Sequence, residues 1–146
     1  MDSKGRVMLP SALKKQLLPV IEDGFVIKRS VFQKCLELYP MKEWNHVMAK
    51  VNGLNRFVKK NNDFIRMFTA GVKMVELDGS GRLNISNDLI AFSALKNSVV
   101  MSSSGNIIEV WDKDAYETAV NNPEIDFSAL AEEVMGNSNL LGDDLS

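Results

Sequence analysis

The chain has 146 residues, of which 45% are hydrophobic and 25% charged, the composition of one globular domain or two very small ones. No apolar run reaches the roughly 18 residues of a membrane helix, and the charged start gives no signal peptide. The single cysteine, Cys35, cannot form an intramolecular disulfide, which favours a reducing cytoplasm. The only histidine is His46, which excludes His-based triads and most zinc sites. We therefore expect no enzymatic activity, no catalytic residue, no metal, no cofactor and no small-molecule substrate.

The net charge of −2 is unevenly distributed along the chain. Residues 1–75 carry 14 Lys and Arg against 6 Asp and Glu, whereas residues 76–146 carry 3 against 13. A strongly basic half favours a polyanion such as a nucleic acid as the partner. The alternative is that the basic and acidic halves attract each other, within one chain or between subunits. The two interpretations are compatible.

In the first half of the chain, apolar periodicity and turn residues predict a strand, a short helix, a hairpin and two further helices. Pro10 can begin the first helix without losing a hydrogen bond, and Asn52-Gly53 ends the second. The third helix carries Phe57 and Phe64 on its apolar side. The predicted elements are Arg6–Leu9, Ala12–Leu18, Phe25–Arg29, Cys35–Tyr39, Met41–Val51 and Arg56–Thr69.

The second half predicts the same kinds of element, followed by an acidic tail. Asn87 is the expected cap of its short helix, and Ser103–Asn106 is the expected hairpin turn. In the tail, Phe127–Met135 is a predicted short helix and Gly136–Ser146 is predicted to be disordered. The other predicted elements are Gly71–Leu77, Arg82–Ile85, Asp88–Leu95, Ser98–Ser102, Ile107–Trp111 and Lys113–Val120.

An Asp-x-x-Gly-Arg motif occurs twice, at Asp2–Arg6 and at Asp78–Arg82. Three segments recur in the same order, offset by about 72 to 76 residues, which indicates a duplicated domain. Because the strands of one module are too few and too short for a stable sheet, we expect the two modules to intertwine around one core. The predicted parts are a first module (1–52), a connecting helix (53–70), a second module (71–120) and a partly disordered acidic tail (121–146).

The repeated motif presents an arginine beside a glycine turn. We expect Asp2 and Asp78 to accept backbone N–H bonds in turns formed at Gly5 and Gly81, and so to orient the arginine that follows. An arginine held in this way can bind a phosphate or pair bidentately with a guanine edge. The alternative is a buried ion pair between each aspartate and its arginine, and both roles can coexist. The predicted DNA-binding residues are Lys4, Arg6, Lys14, Lys15, Lys28, Arg29 and Arg82.

The basic residues are concentrated in the first copy of the motif, and the second copy has Ser80 at the place of Lys4. We therefore expect the first module to make most phosphate contacts and the second mainly to complete the fold. Because aromatic residues do not interleave with the basic ones, duplex DNA is favoured over a single strand.

The paired Asp-x-x-Gly-Arg motifs, together with Leu36–Trp44, Val75–Asp78 and Ile108–Asp112, resemble the bacterial MraZ proteins. The resemblance covers the chain from Asp2 to about Val120. It implies an α+β fold of tandem, duplicated swapped-hairpin β-barrel modules of the AbrB/MazE type (SpoVT-AbrB domains) with peripheral helices. It also implies a ring-like homo-oligomer, often octameric.

The function implied by this resemblance is transcriptional regulation of the division and cell-wall gene cluster. The regulator would bind short direct repeats of double-stranded promoter DNA, and it would be cytoplasmic and associated with the nucleoid. The DNA-contacting motif of the family corresponds to Asp2–Arg6, with Arg6 as the leading residue and Arg82 as its equivalent in the second copy.

Two features depart from the family pattern. Gly71–Leu77 precedes Asp78, but no matching strand precedes Asp2, which we interpret as a late start or a truncation that exposes a sheet edge. Ser86 stands where the first copy has Pro10. Two other functions remain open: an oligomeric scaffold that does not bind DNA, and an antitoxin-like protein of the same fold with a toxin-binding tail.

Overall fold

A computed structural model describes residues 1–136, which form a mixed α+β structure of seven antiparallel strands and six α-helices. The described residues divide into two compact units, with the boundary between Tyr116 and Glu117. The strands are β1 (Arg6–Met8), β2 (Phe25–Arg29), β3 (Leu36–Pro40), β4 (Lys73–Val75), β5 (Arg82–Asn84), β6 (Val99–Ser104) and β7 (Ile107–Asp112). The helices are α1 (Ser11–Leu17), α2 (Met41–Asn52), α3 (Lys59–Thr69), α4 (Asn87–Ser93), α5 (Lys113–Val120) and α6 (Phe127–Ala131).

The α+β class is confirmed, and most elements lie where the sequence predicts them. Helix α5 has the predicted bounds, and the boundary between the two compact units falls within it. In the second unit, Asp126 caps α6 by accepting from the backbone N–H groups of Ser128 and Ala129. The predicted helix 127–135 is α6 followed by a π-helical turn, Glu132–Gly136. Residues 137–146, predicted to be disordered, lie outside the described part of the chain.

The predicted start of the third helix at Arg56 is wrong, because α3 begins at Lys59. The side chain of Asn55 accepts from the backbone N–H of Phe57 at 2.9 Å, so the chain makes a turn there and not a first helical turn. As a consequence Phe57, predicted on the apolar side of the helix, is fully exposed.

Three further local predictions are wrong. Pairing continues to Ser104 and Ile107, so the hairpin turn is Gly105–Asn106 and not Ser103–Asn106; Gly105 supplies the positive φ of 63° that a two-residue turn needs. Asn87 is the first residue of α4 and Ser86 is the residue before it, so Asn87 is not the cap. A φ of +75° at Gly71 keeps this residue out of β4, which starts at Lys73.

Both sheets combine strands from the two sequence repeats. Strands β1 and β5 form a two-stranded ribbon, and the larger sheet has the order β4-β2-β3-β7-β6. In the ribbon, Val7 lies opposite Leu83, its own equivalent in the second repeat. In the larger sheet, Glu37 lies opposite its equivalent Glu109. Because each contact is centred on a pair of equivalent residues, an approximate two-fold axis relates the repeats.

The main core lies between the ribbon and one face of the larger sheet, and both repeats contribute to it. Its fully buried members include Leu83 of the ribbon and Leu38 and Val110 of the larger sheet. The opposite face of β2 and β3 is covered by α2 and α3, where Trp44 stacks on Phe68 with ring centroids 5.9 Å apart. The division into modules 1–52 and 71–120 stays a prediction, since the described strands of both segments pair with one another.

Candidate nucleic-acid interface

The first motif is a tight turn organised by one carboxylate. Asp2 Oδ1 accepts from the backbone N–H groups of Lys4 at 3.0 Å and Arg6 at 2.9 Å. Asp2 Oδ2 accepts from Arg6 Nε at 2.7 Å. Gly5 has a φ of +77°, and a Cβ at this position would lie 2.9 Å from the backbone oxygen of Ile85. The turn therefore needs glycine for its backbone conformation and for the close approach of another strand.

The second motif repeats this geometry. Asp78 Oδ1 accepts from the backbone N–H groups of Ser80 and Arg82, both at 2.9 Å, and Oδ2 accepts from Arg82 Nε at 3.0 Å. Gly81 also has a positive φ, +80°. The same five-residue bonding pattern therefore fixes the direction of an arginine in each repeat.

The turns also keep both carboxylates ionised. The backbone N–H of Arg6 is the main cause of a pKa of Asp2 below the ordinary value, and the backbone N–H of Arg82 has the same effect on the pKa of Asp78. Bonds from two N–H groups and a guanidinium stabilise the charged form of a carboxylate. Each aspartate is thus a permanent anion beside its arginine at neutral pH.

The ribbon β1–β5 joins the two turns. The backbone N–H of Leu9 donates to Gly81 O at 3.0 Å, and that of Ile85 donates to Gly5 O at 2.8 Å, which extends the pairing from each strand into the opposite turn. Arg6 and Arg82 are therefore held at fixed positions on either side of the approximate two-fold axis, and their side chains are 32% and 28% exposed. The ion pairs predicted as one alternative exist, but they lie at the surface.

Three of the four predicted lysines of the first repeat are exposed. Lys4 is exposed in the first turn, and Lys15 is exposed on α1. Lys14, also on α1, lies over the second motif. Its Nζ is so close to Gly81 that a Cβ added to this glycine would be 3.2 Å from it. A lysine of the first repeat therefore adds charge to the arginine of the second.

Lys28 was predicted to contact DNA, but the structure buries it completely. Its Nζ donates to Glu37 Oε1 at 3.1 Å and to the backbone oxygen of Arg29, and it lies 4.4 Å from the ring centroid of Phe68. The cause is the second layer of helices, which covers the face of β2 that carries Lys28. We remove Lys28 from the candidate interface.

Arg29 is half-buried, and its guanidinium lies 4.9 Å from the ring centroid of Phe92. Its Nε is buried and has no hydrogen-bond partner among residues 1–136. This packing sets Arg29 apart from the open face of the ribbon.

Two exposed residues of the ribbon were missed by the sequence analysis. Met8 is 56% exposed and pairs with Arg82, and the exposed Asn84 pairs with Arg6. The sequence did contain a signal for both, because side chains alternate between the two faces of a strand. With Val7 and its equivalent in β5 buried, the first and third residues of each strand lie together on the other face.

Groups of three or more His, Cys, Asp or Glu side chains able to hold a metal ion are absent from residues 1–136. Across the same residues, every helix is too short or too polar to cross a membrane.

Cys35, directly before β3, is buried, and this burial raises the pKa of its thiol to about 12.

Comparison with known proteins gives one consistent result. The family model described as "MraZ protein, putative antitoxin-like" matches residues 1–67 and 67–138. The chain is 62% identical over 141 residues to a protein of Christiangramia forsetii named transcriptional regulator MraZ, which covers 97% of this chain and 91% of that protein. It is 62% identical to the protein of the same name from Flavobacterium psychrophilum, over 94% of this chain and 88% of the relative. The corresponding protein of Cytophaga hutchinsonii is 36% identical, over 92% and 88%.

Proposed function

The chain belongs to the MraZ family, and from this premise we propose that it is a transcriptional regulator that binds double-stranded DNA in a sequence-specific manner through the β1–β5 ribbon. The matched relatives carry the name of regulators and not of enzymes, so no catalytic activity is part of the proposal. The observation that carries it is the pair of oriented arginines on one open face.

The ribbon suits the major groove of DNA in shape and chemistry. The major groove of B-DNA admits a two-stranded β-ribbon, and an arginine pairs bidentately with guanine O6 and N7. The turns hold Arg6 and Arg82 through Nε, so each guanidinium is oriented before DNA arrives. Pre-organisation of this kind lowers the entropy lost on binding.

Lysines around the ribbon supply contacts to phosphates. Lys4 lies in the first turn. Lys14 and Lys15 are both on α1, and Lys14 lies over the second turn. Each phosphate neutralised releases bound counterions, so affinity for DNA should fall steeply with salt. Arg29, packed on Phe92, has at most an indirect role in this proposal.

The family resemblance extends the proposal to targets, assembly and location. We propose that the chain regulates the division and cell-wall gene cluster, binds direct repeats in its promoter, and acts in the cytoplasm at the nucleoid. The fold would be a duplicated swapped-hairpin module, which is supported by strands of the two repeats that pair with each other. A ring-like homo-oligomer, octameric in this proposal, would combine several weak ribbons by avidity.

An exposed apolar groove supports assembly into a homo-oligomer. Phe32 and Met67 are exposed at this groove, which Arg29 and Phe92 also line. Exposed apolar surface of this kind is typical of subunit interfaces. Mass photometry of the parent and of Phe32→Glu tests it: a smaller particle for the variant supports the groove as a contact, and an unchanged mass removes it.

The proposed DNA binding is tested by fluorescence anisotropy with the chain's own upstream promoter and a scrambled duplex, at two salt concentrations. We expect preference for the promoter, weakened by salt, and its loss in Arg6→Ala. The matched control is Arg66→Ala, because Arg66 is also a surface arginine paired with an aspartate, Asp63, at 3.1 Å. Equal promoter affinity of Arg6→Ala and the parent contradicts the proposal.

Two other functions make different predictions in the same assay. A scaffold joined by its basic and acidic halves would dissociate at high salt and show no preference for the promoter. An antitoxin-like protein is suggested by the description of the matching family, and it would use the acidic tail 121–146 to hold a toxin. Deletion of residues 124–146 separates the regulator from the antitoxin. A regulator should keep its affinity for the promoter, whereas an antitoxin should lose its protein partner.

A further inference from the structure

The two ends of the ribbon are equivalent in backbone geometry but different in side chains. In the pairing of β1 with β5, Arg6 lies opposite Asn84, and Met8 lies opposite Arg82. The approximate two-fold axis passes between Val7 and Leu83 and relates one pair to the other. Asn84 is therefore the equivalent of Met8, and the ribbon has an amide beside one arginine and a thioether beside the other.

We propose that Asn84 and Met8 read DNA bases beside the two arginines, and that their difference gives the ribbon one preferred orientation on its site. Asn84 would read adenine through its amide, and Met8 would contact the methyl group of thymine. This inference rests on the proposed DNA binding and names the residues that set its specificity.

The side chains in question share one open face. Val7 and Leu83, at the centre of the ribbon, are buried in the main core, so the residues on either side of them point the opposite way. Asn84 and Met8 are both exposed on that face. Directly opposed residues of an antiparallel pair have Cβ atoms about 5 Å apart. An arginine and its neighbour thus reach adjacent base pairs from one docked ribbon.

The turns place the two neighbours close to the motifs themselves. Asn84 Oδ1 lies 3.9 Å from the position of a Cβ on Gly5, and Met8 Sδ lies 3.8 Å from the position of a Cβ on Gly81. Each neighbour therefore leans over the turn of the opposite repeat. A ribbon that brings either arginine to a base edge brings Asn84 or Met8 to the groove at the same time.

The chemistry of the two neighbours differs in what it can recognise. An asparagine side chain pairs bidentately with N6 and N7 of adenine, whereas an apolar side chain selects the thymine methyl group by contact. The surrounding charge differs too, with Lys4 at the first turn and Lys14 at the second. A protein with equal ends would favour a palindrome, but unequal ends favour a site with a direction. Sites with a direction can be arranged head to tail.

The test is selection of random duplexes by the full chain, followed by sequencing. We expect a directional consensus for the parent. Asn84→Met should lose preference at one position by about tenfold and keep the remaining positions, because one bidentate base contact is removed. Met8→Asn should gain adenine preference at the equivalent position of the other half and make the consensus more palindromic. Asn106→Met, the same substitution in the exposed β6–β7 turn, is the matched control.

The outcomes separate this inference from the function on which it rests. A parent that selects a consensus, with Asn84→Met and Met8→Asn selecting the same one, overturns the base-reading roles alone. A parent that selects no sequence overturns the proposed function and this inference with it. Asn84→Ala and Met8→Ala, checked for unchanged mass and melting temperature, replace any variant that does not fold, and an unchanged consensus in both overturns the roles equally.

Discussion

Arg82 Nη1 of the second motif lies 3.9 Å from Asp2 Oδ2 of the first, so a single carboxylate contacts both arginines of the ribbon. Asp2 holds Arg6 Nε at 2.7 Å, and Asp78 holds Arg82 Nε at 3.0 Å. The approximate two-fold relation of the repeats is therefore broken at the ion pairs. Asp2 has the larger part in orienting the guanidiniums.

The first prediction compares the two aspartates. Asp2→Asn should lower promoter affinity by about tenfold, the effect of losing a bond to a charged group, because it weakens the orientation of both arginines. Asp78→Asn should lower it less, since Arg82 is the one arginine that the Asp78 side chain contacts among the described residues. Anisotropy titrations measure both, with Ser3→Ala in the same turn as the control. Equal losses in the two variants contradict the asymmetry.

The second prediction concerns pH. Because the folded-state pKa of Asp2 and of Asp78 is lowered, chiefly by the backbone N–H of Arg6 and of Arg82, each carboxylate contributes stability above its unfolded pKa of about 3.9. That contribution disappears as the pH falls through the folded-state pKa. We expect the melting temperature of Asp2→Asn to be below that of the parent at pH 7, and the difference to narrow below about pH 4. A difference that stays constant down to pH 2 contradicts the assignment.

The third prediction concerns the glycine turns. Gly5→Ala should destabilise the fold by about 3 kcal/mol or more, because a positive φ is combined with a Cβ 2.9 Å from the backbone oxygen of Ile85. Gly81→Ala should cost about 1–2 kcal/mol, since its nearest neighbour is the flexible end of Lys14, at 3.2 Å. Urea unfolding measures both. Gly79→Ala is the control, because among residues 1–136 no atom beyond its two chain neighbours lies within 4 Å of the added Cβ.

The sequence was sufficient to predict the local structure of the site. The spacing of Asp, Gly and Arg indicates a turn in which the carboxylate accepts backbone N–H bonds, and the bonds at Asp2 and Asp78 have that geometry. The α+β class and most element positions follow from apolar periodicity. These features depend on residues a few positions apart, which a single sequence displays directly.

The features that could not be predicted depend on long-range pairing. Asn84 lies beside Arg6 only because β1 pairs with a strand more than seventy residues away. Lys28 alternates with core residues along β2, and this pattern alone suggests an exposed side chain. In the folded chain, however, α3 covers that face of β2. Periodicity shows which face a strand side chain takes, but not what packs on that face.

The fourth prediction follows from the burial of Lys28. Lys28→Met should destabilise the fold by about 3 kcal/mol, because it removes the buried cation paired with Glu37, which lies opposite a second carboxylate, Glu109. Promoter affinity, measured well below the melting temperature, should be unchanged, since Lys28 is fully buried. Met101 occupies the equivalent position in the second repeat, so methionine is a size the fold accepts there. A loss of affinity without a loss of stability would restore Lys28 to the interface.

The fifth prediction assigns a phosphate contact to Lys14, which lies beside Gly81 and so adds charge to the second motif. Each phosphate contact contributes about 0.9 to the slope of log affinity against log salt. Lys14→Ala should therefore lower the magnitude of that slope by about one for each ribbon bound, and weaken promoter and scrambled duplexes alike. Lys60→Ala, an exposed lysine on α3, is the control and should leave the slope unchanged. A loss confined to the promoter duplex would instead make Lys14 a base-reading residue.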